Sequence, residues 1–128
     1  MASPLNYDGG LTISLQVKDR KKSQQWYGDV LGFNLLYDVA EIGWCEMATE
    51  VDGGKVNIGL SEVEAPKTGA GPVPTWGVKD IGKARSMMEA KSVRFDGATQ
   101  EIEGMVKLAT FFDPDGNAHM LYQSMMKG

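Results

Sequence analysis

The first regular element shows in strict alternation. In "LTISLQV" (11–17) Ile13, Leu15 and Val17 fall on one side of an extended chain, and Thr12, Ser14 and Gln16 on the other. The apolar set needs a partner to cover it, and the following run supplies one. "RKKSQQWYGDVLGF" (20–33) carries Trp26, Tyr27, Val30 and Leu31 at helical spacing, behind Asp19 as N-cap and before Gly32 as terminator. Three strand-like runs follow, "FNLLYDVA" (33–40), "GWCEMATE" (43–50) and "KVNIGLSE" (55–62), the last two joined by the turn "VDGG" (51–54). Alternation in the third run sets Asn57, Gly59 and Ser61 against Val56, Ile58 and Leu60, and in the second it sets Trp44 and Glu46 against Cys45 and Met47.

The pattern then repeats. "VKD" stands at 17–19 and again at 78–80, each time between a strand-like and a helix-like run. Lys22 matches Lys83 and Tyr27 matches Met88 at the same offset of 61, and Phe33 and Phe95 close the pattern at 62. In the second copy "PVPTWG" (72–77) leads to Asp80 as cap. A weaker helical stripe of Ala84, Met87, Met88 and Lys91 ends near Ser92 and Val93. A short strand near Thr99–Ile102 and the runs "MVKLATFF" (105–112) and "AHMLYQS" (118–124) complete it. The proline- and small-residue-rich "VEAPKTGAGP" (63–72) reads as a linker. The expected organisation is a flexible N-terminus at 1–10, a βαβββ module at 11–62, a linker at 63–72, a second βαβββ module at 73–124 and a tail at 125–128.

Composition narrows the partners. With 13 basic and 17 acidic residues the net charge is −4, which argues against nucleic acid or an anionic membrane surface as partner. One cysteine cannot form an internal disulfide and suits a reducing compartment. "MASPLNYDGG" has neither a basic segment nor an apolar run of the kind that directs export, and no apolar stretch is long enough to span a bilayer. A soluble, cytoplasmic protein is expected.

Candidate chemistry is sparse. No Ser-His-Asp pattern or phosphate-binding loop is present, and Cys45 lacks a cationic neighbour, so a buried inert thiol is expected there. "DPDGNAHMLY" (113–122) joins two carboxylates to the single histidine, His119. Proline restricts φ, Asp113 and Asp115 suit bonds to their own backbone, and Gly116 suits a left-handed residue, so the segment reads as a turn entering a strand. The calcium-loop alternative lacks its remaining ligands. His119 is then expected on the helix-facing side, packed rather than catalytic.

"WYGDVLGFNLLY" (26–37), "FDPDGN" (112–117) and the doubled βαβββ pattern together resemble the vicinal-oxygen-chelate superfamily, which includes glyoxalase-like lyases and isomerases, extradiol dioxygenases and fosfomycin- and bleomycin-resistance proteins. The resemblance implies an α+β fold in which the two modules form a curved mixed-sheet cup. It also implies a metal bound by histidine and glutamate at four cup positions. Counting from "VKD" and "DPDG", those positions hold Thr12, Gly59, Val73 and Met120. None offers imidazole or carboxylate, so no metal and no cofactor are expected.

The cup lining implied by resemblance and alternation is Thr12, Ser14, Gln16, Trp44, Asn57, Gly59, Val73, Thr75, Met120 and Tyr122, with Lys107 or Phe111 as further candidates. Such hydroxyl, amide and ring groups suit a small organic ligand. The plainer alternative is a sheet face turned to solvent. Glu46 beside Trp44 is the candidate catalytic residue, a carboxylate whose pKa an apolar cup would raise toward that of a general base. The expected function is sequestration or sensing of a small organic molecule by a homodimer, in the manner of a resistance protein. The alternatives are a lyase, isomerase or dioxygenase-type enzyme, metal-free with Glu46 as base or with displaced metal ligands, and a regulatory module with a vestigial cup.

Overall fold

The structure is a computed structural model describing residues 4–126; the outermost parts of both expected tails, 1–3 and 127–128, lie outside the described residues. It divides into two compact units between Pro66 and Lys67.

In the first unit, β1 (Gly10–Val17) leads to α1 (Arg20–Leu31), then β2 (Asn34–Val39), a 3-10 turn (Ala40–Ile42), β3 (Trp44–Ala48) and β4 (Lys55–Glu62). The four strands form one mixed sheet in the order β1-β4-β3-β2. β1 runs parallel to β4, pairing Thr12 with Asn57, Ser14 with Gly59 and Gln16 with Ser61. β3 runs antiparallel to β4, pairing Trp44 with Ser61 and Glu46 with Gly59. The predicted alternation holds across these strands. Leu15, Val17, Cys45, Met47, Ile58 and Leu60 are buried on the face that α1 covers. Each such aliphatic side chain contributes roughly 1.5–3 kcal/mol.

Both helices begin as expected. Asp19, at φ −128°, accepts a bond from Lys22 N at 3.1 Å, and Asp80, at φ −140°, accepts one from Lys83 N at 3.0 Å. Each cap is worth about 1 kcal/mol. Gly32 closes α1 at φ 74°. The buried stripe of α1 differs from expectation: it is Arg20, Ser23 and Tyr27, with Trp26, Val30 and Leu31 only half-buried. Tyr27 packs edge-on against Trp26 and stacks on Phe33.

The second unit holds β5 (Thr75–Gly77), α2 (Ile81–Glu89), β6 (Arg94–Phe95), β7 (Gln100–Ile102), β8 (Val106–Phe112) and β9 (Ala118–Ser124). β5 pairs in parallel with β9, and β9 pairs antiparallel with β8. β6 and β7 both pair antiparallel with β8, so the strand after α2 is broken in two, and the short pairing of Arg94 and Phe95 was not anticipated. α2 is shorter than its sequence pattern suggests. Ile81 and Met88 are its buried residues, while Met87, expected in the core, is 59% exposed, and Lys91 lies beyond the helix. The chain reverses at Ser92, which takes φ 64° although it has a side chain.

The "DPDG" turn forms as the sequence predicts. Asp113 is buried, and its Oδ1 accepts from the backbone N–H of Asp115 and Asn117 at 2.9 and 2.8 Å. Its Oδ2 accepts from the Asn117 side-chain amide at 2.8 Å, and Gly116 takes φ 90°. The carboxylate is a clamp for the turn.

Candidate functional site

On the face of the first sheet away from α1, register brings Thr12, Asn57 and Ala48 into one row, Ser14, Gly59 and Glu46 into the next, and Gln16, Ser61 and Trp44 into a third. All seven residues singled out from this unit therefore share one face. Glu46 is its centre. Its Oε1 accepts from Tyr37 Oη at 2.7 Å, and its Oε2 accepts from Asn57 Nδ2 at 2.7 Å and Thr12 Oγ1 at 3.2 Å. Trp44 Nε1 donates to Tyr37 Oη at 3.3 Å, which links the indole to the carboxylate through the phenol. Gly59 makes room for that indole. A Cβ at 59 would lie 2.0 Å from Trp44 Cη2, so the ring fills the space above the glycine.

These donors correct the expected electrostatics. The bonds from Tyr37, then Asn57 and, more weakly, Thr12 hold the Glu46 carboxyl below its ordinary range, outweighing the opposing effect of burial. Glu46 is an ionised acceptor at neutral pH. A carboxylate offers about four lone-pair directions, and three are engaged, which leaves one for an incoming donor. Tyr37 was not among the predicted residues. It reaches this face because the β2–β3 register slips between Leu35 and Tyr37, a bulge with no marker in "NLLYDV".

In the second unit Thr75 pairs with Met120, and Gly77 with Tyr122. Tyr122 covers Gly77 much as Trp44 covers Gly59, since a Cβ at 77 would meet its Cζ and Oη at 2.8 Å. Val73 precedes β5 and is 40% exposed, with its carbonyl accepting from Thr75 Oγ1. Lys107 and Phe111 do not join this face. Phe111 pairs with His119 and is fully buried against it, and Lys107 shares its side of β8.

His119 is packed, as expected. It has no exposed surface, lies between Phe111 and Trp76, and its Nδ1 accepts from Trp76 Nε1 at 3.1 Å. Burial pushes its pKa down to about 4, which keeps the ring neutral at physiological pH.

A second ionic cluster lies at the start of α1. Arg20 is buried and grips Asp38 with Nε at 2.8 Å and Nη2 at 3.1 Å, while its Nη1 reaches Glu62 at 3.2 Å. Lys21 and Gln24 also bond to Asp38. Arg20 holds the Asp38 carboxyl down to about 2. Cys45 is buried, and desolvation raises its thiol, consistent with an inert core residue.

The positions where a metal would be expected carry a hydroxyl at Thr12, no side chain at Gly59, an alkyl group at Val73 and a thioether at Met120. Among the described residues no three His, Cys, Asp or Glu side chains are grouped to hold a metal ion. Taken one by one, none of these four side chains offers an imidazole or a carboxylate.

Solved structures share the fold. An integron cassette protein from the mobile metagenome of Halifax Harbour sewage outfall superposes with a TM-score of 0.73 at 22% identity, over 91% of this chain and 99% of that one. TnmS3, an antibiotic binding protein from Streptomyces sp. CB03234, gives 0.72 at 22% identity over 92% and 97%. The fosfomycin resistance protein FosX from Listeria monocytogenes gives 0.77 at 14% identity over 92% and 94%. Among curated proteins none matches the chain in sequence at a significant level. The sequence profile of one family matches residues 11–121, nearly the whole of both βαβββ units. The doubled fold and that match together make this chain a member of the Glyoxalase/Bleomycin resistance protein/Dioxygenase superfamily.

Proposed function

We propose that this chain binds a small organic molecule on the Glu46 face of its first sheet, without a metal, and so sequesters or senses it. One observation carries the reading: an ionised carboxylate held by three neutral donors, with one acceptor direction left, beside the Trp44 indole. That pairing suits an aromatic ligand bearing a hydrogen-bond donor, stacked on Trp44 and donating to Glu46. The antibiotic binding protein among the structural neighbours supports binding as the class of activity. A lyase or isomerase using Glu46 as base is less well supported, because donors that lower a carboxyl's pKa weaken it as a base.

The test is a thermal-shift and fluorescence screen with small aromatic amines. A ligand that stabilises the wild type should lose its effect in Trp44→Ala and Glu46→Gln, since stabilisation follows RT ln(1 + [L]/Kd). Equal stabilisation of all three proteins overturns the reading. We also read the chain as a homodimer, in which a second copy would cover Leu35 and Ile42, 47% and 71% exposed on β2 and the 3-10 turn. Light scattering at micromolar concentration tests it, and a monomer mass rejects it.

A further inference from the structure

A hollow of about 290 Å³ lies beside the Glu46 cluster, lined by Leu36, Ala48, Asn57, Lys55 and the neighbouring chain at Thr49, Gly54 and Val56. It sits at the end of the sheet where the β3–β4 turn begins, and Ala48 and Asn57 are a cross-strand pair. Its volume is near the roughly 300 Å³ lower limit of ligand pockets, enough for one end of a molecule. Asn57 belongs to both places. A carboxylate only accepts, so the Asn57 NH2 must face Glu46, which leaves the amide oxygen as a further acceptor. The lining is otherwise alkyl, since the Thr49 hydroxyl is spent on Val56 O. The charged exception is Lys55, whose amine makes no ion pair among the described residues.

We infer that this hollow is a second subsite for the anionic end of the ligand, so that the molecule taken is an aromatic one with a hydrogen-bond donor at one end and a carboxylate at the other. The inference rests on the Glu46–Trp44 reading above. Geometry sets the length. Lys55 stands four positions from Gly59, the residue opposite Glu46, a span of about 14 Å at ~3.4 Å per residue that the lysine stem shortens. The alkyl groups of Leu36 and Ala48 suit a short methylene chain between ring and carboxylate.

The probes are 4-(4-aminophenyl)butanoate, which has both ends, and 4-butylaniline, which lacks the carboxylate, titrated at low ionic strength by calorimetry or tryptophan fluorescence. The two-ended probe should bind the wild type about two- to fivefold more tightly, the range of an exposed ion pair. Lys55→Met should abolish that gain without changing the affinity for 4-butylaniline, and Lys55→Arg should keep it. High salt should erase it. If 4-butylaniline binds in a Trp44- and Glu46-dependent way but the carboxylate adds nothing, or Lys55→Met keeps the gain, the second subsite is wrong and the binding reading survives. If neither probe binds, or binding ignores Glu46→Gln and Trp44→Ala, both fail together.

Discussion

Substituting Gly59 with alanine tests how the site is built. The new Cβ would stand 2.0 Å from Trp44 Cη2, 2.5 Å from Cζ2 and 2.9 Å from Cζ3, where ordinary contact begins at 3.4 Å. The indole must therefore retreat by at least 1.4 Å (3.4 minus 2.0) or the strands must part. Retreat breaks the 3.3 Å bond from Trp44 Nε1 to Tyr37 and loosens the phenol that holds Glu46. Overpacking costs roughly 1–3 kcal/mol and the lost hydrogen bond about 1. Replacing a strand glycine returns about 0.5–1 kcal/mol. The net loss is about 2 kcal/mol, or about 7 °C in melting temperature at ~2.1 cal/mol/K per residue. The assay is a double-mutant cycle by urea denaturation. In a Trp44→Ala background the clash is gone, so Gly59→Ala should be neutral or stabilising. Equal destabilisation in both backgrounds would refute the account of Gly59 as the seat of the indole.

Three further outcomes follow from the same structure. His119 has its folded-state pKa depressed to about 4 from an ordinary 6.5; the stability tied to its neutral form is complete above pH 6.5 and lost as pH falls toward 4. It amounts to about 3 kcal/mol, and a His119→Gln variant should flatten the urea midpoint over that window. Arg20→Met should raise the Asp38 carboxyl from about 2 toward its ordinary range, read by NMR titration, and lower the urea midpoint above pH 4, where Asp38 remains ionised without its guanidinium. Ser92 holds φ 64° with an exposed side chain, so Ser92→Gly should gain about 0.5–1 kcal/mol, checked by thermal melting.

Much of this was legible in the residues, and the misses have physical causes. β1 and β4 each bury one face only, so "LTISLQV" and "KVNIGLSE" declare which side is core. The aspartate caps and the "DPDG" turn are local chemistry, readable over four or five residues. "VKLATFF" is different: Val106 and Leu108 on one side, Ala109 and Phe111 on the other, are all apolar, and alternation cannot choose between them. Burial of Phe111 beside His119 decides it. Arg20 heads a helix and looks solvent-bound until Asp38 and Glu62, 18 and 42 residues away, supply its partners. Tyr37 reached the site through a bulge, an extra residue that no periodicity announces.

That bulge and the break between β6 and β7 share a further consequence. Each stands on the outer strand of its own sheet, where free backbone amides could recruit another chain. A foreign strand laid along either margin would find its ladder interrupted within a few residues. The irregularity that delivers Tyr37 to Glu46 also makes that margin a poor template for a further strand.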